Sequence, residues 1–276
     1  MRQDNIETEE KKSECEAHPA VAKPSACKPT LSKAIEVKRA YVLIVTVSDY
    51  SAVSSIDDLP GAETDKSTLL KLFTGYGYTV KCSETKKINP DDFDDLIRDA
   101  QYHLHKHHAD YDAFIFAFSA HGDADNVLLS DGSGFSRVEM YSWFNGARCR
   151  GFAGKPKLFV VDACKGFDPA EQVEQNKPKA TQATRKVHVD KNIVVLNATT
   201  SGYLAYEHEG GGALIQSFNK VWRDNAVALE LGDMCLGINA NLEAIGAASG
   251  RAQAMELIGM GLTKRIVFLK SDNGNN

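Results

Sequence analysis

The chain has 276 residues, enough for one sizeable domain or two small ones. Its 43% hydrophobic and 25% charged residues are ordinary for a globular protein, and a formal net charge of −5 lacks the basic excess of nucleic-acid binders. No apolar run approaches the roughly 18 residues a membrane span needs, so neither nucleic acid nor membrane is expected as a partner.

Met1 to Lys12 is polar and charged with no apolar core, so no secretory signal is expected there. The six cysteines (Cys15, Cys27, Cys82, Cys149, Cys164 and Cys235) are scattered and form no C-x-x-C pair. Reduced thiols and a cytoplasmic location are expected, not a disulfide framework or a zinc site. Residues 1–38 mix Glu, Lys, Ser, Pro and Ala without apolar periodicity and read as a flexible leader.

Tyr41 to Val47 reads as the first buried strand. After a loop ending Leu59-Pro60-Gly61, Thr64 or Asp65 is expected to cap a helix carrying Leu69, Leu70, Leu72 and Phe73, stopped by Gly75 and Gly77. Tyr78 to Cys82 is a second strand. Asn89-Pro90-Asp91 opens a helix over about Asp92 to His107, with Phe93, Leu96, Ile97 and Leu104 inward. Ala113 to Phe118 is the third strand, and Val127 to Ser130 with Asp131-Gly132 a small hairpin leading to a helix near Arg137 to Asn145. Leu158 to Val161 and Ile193 to Leu196 are further strands, separated by a polar stretch from Phe167 to Asp190 that reads as a long loop. A helix after Gly210 to Gly212, another over about Asp233 to Ile245, and a sixth strand at Arg265 to Lys270 complete an alternating α/β pattern.

Two of these strands end in chemistry. Ala113 to Phe118 runs into Ser119-Ala-His121-Gly122, and Leu158 to Val161 into Asp162-Ala-Cys164-Lys-Gly166. Open α/β sheets carry their sites at such carboxyl ends. A thiol acts as a nucleophile in its thiolate form, and a neighbouring imidazole both favours that form and supplies the leaving group's proton. His121 and Cys164 therefore read as a catalytic dyad, with the amides of Gly122 and Cys164 as an oxyanion hole. The cluster His103, His105, His107 and His108 reads as a solvated helix face rather than a metal site. Gly61 to Thr68 is no phosphate loop, because Asp65 would oppose a phosphate.

On these residues the sequence resembles the caspase-like cysteine peptidases: caspases, paracaspases and metacaspases. The family motif, with its histidine some fifty residues before the cysteine, stands here as Asp162-Ala-Cys164-Lys-Gly166. Further matching segments are Ala198-Thr-Thr-Ser-Gly-Tyr203, Ala213-Leu-Ile-Gln-Ser-Phe218 and Leu262-Thr-Lys264. The resemblance covers about residues 40 to 270. It implies an α/β fold with a six-stranded, mostly parallel sheet flanked by helices, and peptide-bond hydrolysis. It divides the chain into a leader (1–38), a large-subunit region (39–166), a linker (167–190), a small-subunit region (191–270) and a polar tail (271–276).

The departures concern specificity. Caspases bind an aspartate before the scissile bond with two arginines and a glutamine. Here Asp162 stands at the glutamine's position, Pro60 to Glu63 fill the region of one arginine, and Glu207 replaces the other. A pocket of Asp65, Asp162 and Glu207 would repel aspartate and attract arginine or lysine. This acidic set resembles that of paracaspases and metacaspases, and implies cleavage of protein or peptide substrates after Arg or Lys. The alternatives are a caspase that cleaves after Asp, and a silent scaffold on the same fold.

The linker holds Lys177, Lys179, Arg185 and Lys186, with self-cleavage expected after Arg185 or Lys186. Ile266 to Leu269 takes the edge-strand position used for dimerisation, which implies a homodimer through the C-terminal strand. No cofactor is implied. Metacaspases are commonly activated by calcium, but Asp91 to Asp94 read as helix-capping residues and no calcium loop is evident.

Overall fold

The computed structural model describes residues 33–165, 191–200, 205–208, 210–225 and 229–271. The linker, Arg185 and Lys186, Gly166 and the segment Ser201 to Leu204 lie outside the described residues, as do Cys15 and Cys27.

In chain order the elements begin with β1 (Ile35–Val37), β2 (Ala40–Thr46), α1 (Gly61–Gly75), β3 (Thr79–Cys82), α2 (Pro90–Lys106) and β4 (Ala113–Ser119). The hairpin β5 (Asn126–Leu128) and β6 (Gly134–Ser136) leads into α3 (Arg137–Ser142), and β7 (Lys157–Asp162) and β8 (Ile193–Asn197) follow. Then come β9 (Glu207–His208), β10 (Gly211–Gly212), α4 (Ala213–Asp224), β11 (Leu229–Glu230), α5 (Leu231–Ser249), β12 (Glu256–Met260) and β13 (Ile266–Phe268).

The central sheet has six strands in the order β12-β8-β7-β4-β2-β3. All pairs are parallel except β12 with β8. Every residue of β2, β4, β7 and β8 is buried, as a sheet covered on both faces requires. Alternation within the strands divides the side chains between two cores. Val42, Ile44, Ile115, Val160 and Leu196 meet Phe218 and Trp222 of α4 on one side. Leu43, Phe114, Phe116, Phe118 and Phe159 meet Phe93 and Ile97 of α2 on the other. At roughly 1.5–3 kcal/mol for each large apolar side chain removed from water, these two layers fix the sheet from both faces.

Local chemistry sets the helix starts. Asn89 caps α2 through a reciprocal capping box with Asp92, and Pro90 occupies the first turn, where its missing N–H costs nothing. For α1 the expectation needs correction. It starts at Gly61 behind Pro60, so neither Thr64 nor Asp65 is its cap; Asp65 lies within the helix, wholly buried on its inner face. At the other end Gly77 takes a left-handed φ of 74°, which turns the chain into β3.

Two further expectations are corrected at the C-terminal side. The sixth strand of the main sheet is β12, not the segment at Arg265 to Lys270. Its residues alternate half-buried and exposed, and its apolar Leu257, Ile258 and Met260 are interrupted by Glu256 and Gly259, which shortens the apolar run. The apolar Ile266–Phe268 instead lies in the middle of a separate three-stranded sheet, parallel to β1 and antiparallel to β11. With partners on both sides β13 is no free edge. Strand β1 falls within the expected leader; Val37, wholly buried, belongs to the core it helps close.

Candidate active site

The parallel pairing of β4 with β7 puts Ser119 opposite Asp162. His121 and Cys164 each follow two residues beyond that last pair, and Ala120 N–H donates to Asp162 O at 3.2 Å, which continues the pairing into the turn. Both residues line one cavity of about 190 Å³ with Leu59, Ser119, Asp162, Tyr206 and Gly212. The two sequence-predicted reactive residues thus come together because their strands are neighbours.

The histidine is held from two directions. Its ring Nε2 lies 2.9 Å from Asp57 O, and its main-chain N–H donates to the Tyr50 hydroxyl at 3.0 Å. Tyr50, wholly buried, donates a hydrogen bond to Leu128 O at 3.0 Å and packs its ring 4.8 Å from the imidazole. With Nε2 donating to a carbonyl, Nδ1 is the ring nitrogen left to act as base. The sulfur of Cys164 accepts the Ala205 N–H at 3.3 Å and, as a thiol, donates to the Ala205 carbonyl at 3.6 Å, so both polar groups of that residue hold it in place.

Gly122 forms an isolated antiparallel bridge with Val127, whose bonds run from Leu128 N–H to His121 O and from Asp123 N–H to Asn126 O. The Gly122 N–H therefore points off that ladder. Only glycine fits here: a β-carbon would lie 2.9 Å from Cys164 O and 2.7 Å from an Arg137 nitrogen.

Asp65 and Asp162 converge from two elements on one target. Ser119 Oγ donates to Asp65 at 2.8 Å, Gly212 N–H to Asp65 at 3.0 Å, and Ile215 N–H to Asp162 at 3.1 Å. Both carboxylates thus meet the N-terminus of α4, where backbone amides and the helix dipole welcome negative charge. Side chains at Gly211 or Gly212 would collide with Asp65 and Asp162, and Gly211 adopts a φ of 100° that L-residues avoid. Asp162 lines the cavity and Asp65 sits behind it. Glu207 pairs through its backbone with Gly212, which puts its main chain beside the same segment.

Sequence reading missed several residues at this site. Tyr50 and the Asp57 carbonyl act from an irregular loop, and Asn197 and Glu256 from a strand end and an edge strand. Lys165 Nζ meets Glu256 Oε2 at 2.6 Å, and Asn197 Nδ2 donates to the same oxygen at 2.7 Å. The sequence marks Arg137 only as the start of a helix. Within the histidine cluster His103 stacks 4.5 Å from Tyr41 with Nε2 2.9 Å from the Tyr111 hydroxyl, whereas His105 and His108 are exposed. Among the described residues no group of three or more His, Cys, Asp or Glu is arranged to hold a metal ion, and no helix is long and apolar enough to cross a membrane.

A parallel sheet covered by helices on both faces, with a cysteine and a histidine at adjacent strand ends, defines the class of α/β proteins to which cysteine peptidases of the open-sheet kind belong. The chain belongs to the caspase domain family of C14 peptidases, whose model matches residues 39–267. Caspase-7 of Gallus gallus is 23% identical over 205 residues, 71% of this chain and 64% of the relative. Caspase-3 of Xenopus laevis is 25% identical over 173 residues (62% and 60%), and human caspase-10 is 29% identical over 205 residues (68% and 38%). The chain therefore spans less than two thirds of the length of each of these three relatives. The crystal structure of caspase-1 from Spodoptera frugiperda superposes with a TM-score of 0.71 at 18% identity, covering 90% of this chain and 99% of that one, and so shares the fold.

Proposed function

We propose that the protein is a cytoplasmic cysteine endopeptidase that hydrolyses peptide bonds after arginine or lysine. The observation that carries this reading is the meeting of His121 and Cys164 in one cavity at the ends of β4 and β7. His121 Nδ1 takes the thiol proton, and the thiolate attacks the scissile carbonyl. The N–H groups of Gly122 and Cys164 receive the oxyanion. His121 then returns the proton to the leaving amine, and water, activated by the same imidazole, releases the acyl group.

Specificity follows from charge. Asp162 contributes an anion to the cavity and Asp65 a second one behind it, while among the described residues no arginine lines it. A substrate guanidinium or ammonium would replace the α4 amides as partner of these carboxylates once the Gly211–Gly212 strand moves aside; an aspartate would meet like charge. The competing reading, that both carboxylates serve only to cap α4, is favoured by the bonds they make to Gly212 and Ile215.

The test is hydrolysis of matched fluorogenic peptides ending in Arg, Lys or Asp by wild type and Cys164→Ala. Cleavage after Arg or Lys that disappears in the variant is expected. Cleavage after Asp overturns the pocket assignment, and no cleavage at any pH or calcium level supports a silent scaffold.

A further inference from the structure

Behind the nucleophile sits a cation that the dyad chemistry leaves unexplained. Arg137, the first residue of α3, is 3% exposed. One guanidinium nitrogen donates to Cys164 O at 2.6 Å, and reaches Asp123 O at 3.3 Å and Ala163 O at 3.5 Å; the other lies 3.5 Å from Asn197 Oδ1. Its Nε has no hydrogen-bond partner, and among the described residues no carboxylate forms an ion pair with it. The Asp123 carboxylate, whose charge reaches the guanidinium, is bonded to Asn126, and Glu256, on the far side of Asn197, is engaged by Lys165.

A buried guanidinium without an ion-pair carboxylate is a costly way to staple two loops, because neutral carbonyls only partly return the hydration it loses. What it faces explains the expense. Its three carbonyl partners belong to the turns that carry the cysteine and the glycine, and Gly122 closes directly against it. A peptide group's N–H and C=O point in opposite directions, so drawing the Ala163 carbonyl inward turns the Cys164 N–H outward, toward the cavity.

We propose that Arg137 is a positioning residue for the nucleophile and oxyanion hole: it clamps the Ala163 and Cys164 carbonyls so that the Cys164 amide faces the substrate, and it places a positive charge behind the thiol. This rests on the reading of Cys164 as nucleophile. The other titratable groups facing the pair are His121, Asp162 and Tyr206 around the cavity, Lys165 beside the cysteine, and Asp123 and Tyr141 against the guanidinium. Burial pulls the Arg137 pKa below its ordinary value, while Tyr141, Asp123 and Cys164 oppose that pull.

The test compares wild type, Arg137→Met and Arg137→Lys in two assays, with thermal melts as a folding control. The first is the pH profile of Cys164 alkylation by iodoacetamide, followed by peptide mapping. The second is kcat and KM for the peptide cleaved best. In Arg137→Met the alkylation profile is expected to shift to higher pH, with labelling at pH 7 slowed about tenfold. Arg137→Lys should recover most of that profile because the charge returns. Its kcat should still fall tenfold or more at unchanged KM, since an ammonium cannot hold both carbonyls with a planar fork. Profiles and kcat matching wild type in a folded variant would overturn the proposal; should Arg137→Met not fold, the Lys variant decides alone. If wild type cleaves no peptide, the endopeptidase reading falls, while the alkylation profile still reports whether Arg137 acts on the thiol.

Discussion

His121 Nε2 and the main-chain oxygen of Asp57 lie 2.9 Å apart, so the third member of the proposed reactive array is a backbone carbonyl. Such a group is uncharged and cannot be deleted by a side-chain change; it fixes the tautomer of the ring and leaves Nδ1 basic. The weight of the array therefore falls on His121 itself. His121→Ala is expected to lower kcat/KM by roughly 10²–10⁴, the range of a lost general base, with the melting temperature little changed. Residual activity within tenfold of wild type would assign the base elsewhere.

The Tyr50 hydroxyl joins the site to the neighbouring hairpin by accepting from His121 N–H and donating to Leu128 O. Tyr50→Phe keeps the ring against the imidazole and removes both bonds. Two main-chain groups then lose a partner, at about 1–3 kcal/mol of stability where they remain dry. A fall in kcat is expected beside a lower midpoint in urea, because His121 is placed through this bond. An unchanged midpoint would mean that water replaces the hydroxyl.

Thiol reactivity should single out Cys164 among the described cysteines. Burial pushes the thiols of Cys82 and Cys149 above their ordinary value, and that of Cys235 up to about 11. A raised thiol pKa means less thiolate at neutral pH and slower alkylation. Limited iodoacetamide at pH 7 followed by peptide mapping should modify Cys164 before any of these three. Faster labelling of Cys149 or Cys235 would contradict their burial in the two cores.

The pH dependence of stability has a contributor in His103. Its pKa lies below the ordinary imidazole value, chiefly through desolvation and secondarily through the charges of His107 and Lys106, against the opposing pull of Asp110. The unfolded chain then binds the proton more readily than the fold does. Stability is full above the unfolded pKa of about 6.5 and declines as pH falls below it. The melting temperature should drop between pH 7.5 and 5.5, and drop less in His103→Phe, which can keep a ring stacked on Tyr41. Parallel drops in both proteins would remove His103 as a cause.

Where apolar residues dominate a run, sequence and structure agree closely: Ala113–Ser119 and Lys157–Asp162 are buried throughout, and His121 and Cys164 each follow two residues beyond them. Asn89 and Pro90 mark the start of α2 as plainly. Legibility stops where the cause is tertiary. Strand β12 carries the alternating burial of an edge, and its apolar residues are interrupted by Glu256 and Gly259, whereas the apolar β13 reads as a sheet edge because nothing local announces that β1 and β11 flank it. Arg137 is opaque for the same reason. A polar residue opening a short helix looks solvated until the fold closes over it.

The correction at β13 moves the predicted dimer contact to β12. Its inner side pairs with β8, and its outer side has no strand partner among the described residues. Leu257 on this strand is 50% exposed, and the side chain of Leu262 packs against Gly259 of the same strand. An unpaired edge bearing apolar side chains favours addition of a second copy, and members of this family typically form dimers. Glu256 ties that edge to Lys165, the residue after Cys164, so pairing of β12 and order at Cys164 are physically linked. Leu257→Lys places on the edge the residue that best opposes strand addition. Sedimentation at micromolar concentrations should show wild type as a dimer and the variant shifted toward monomer, with specific activity falling in step and recovering at higher protein concentration. A variant that stays dimeric would locate the interface elsewhere; one that becomes monomeric at full activity would break the link through Glu256.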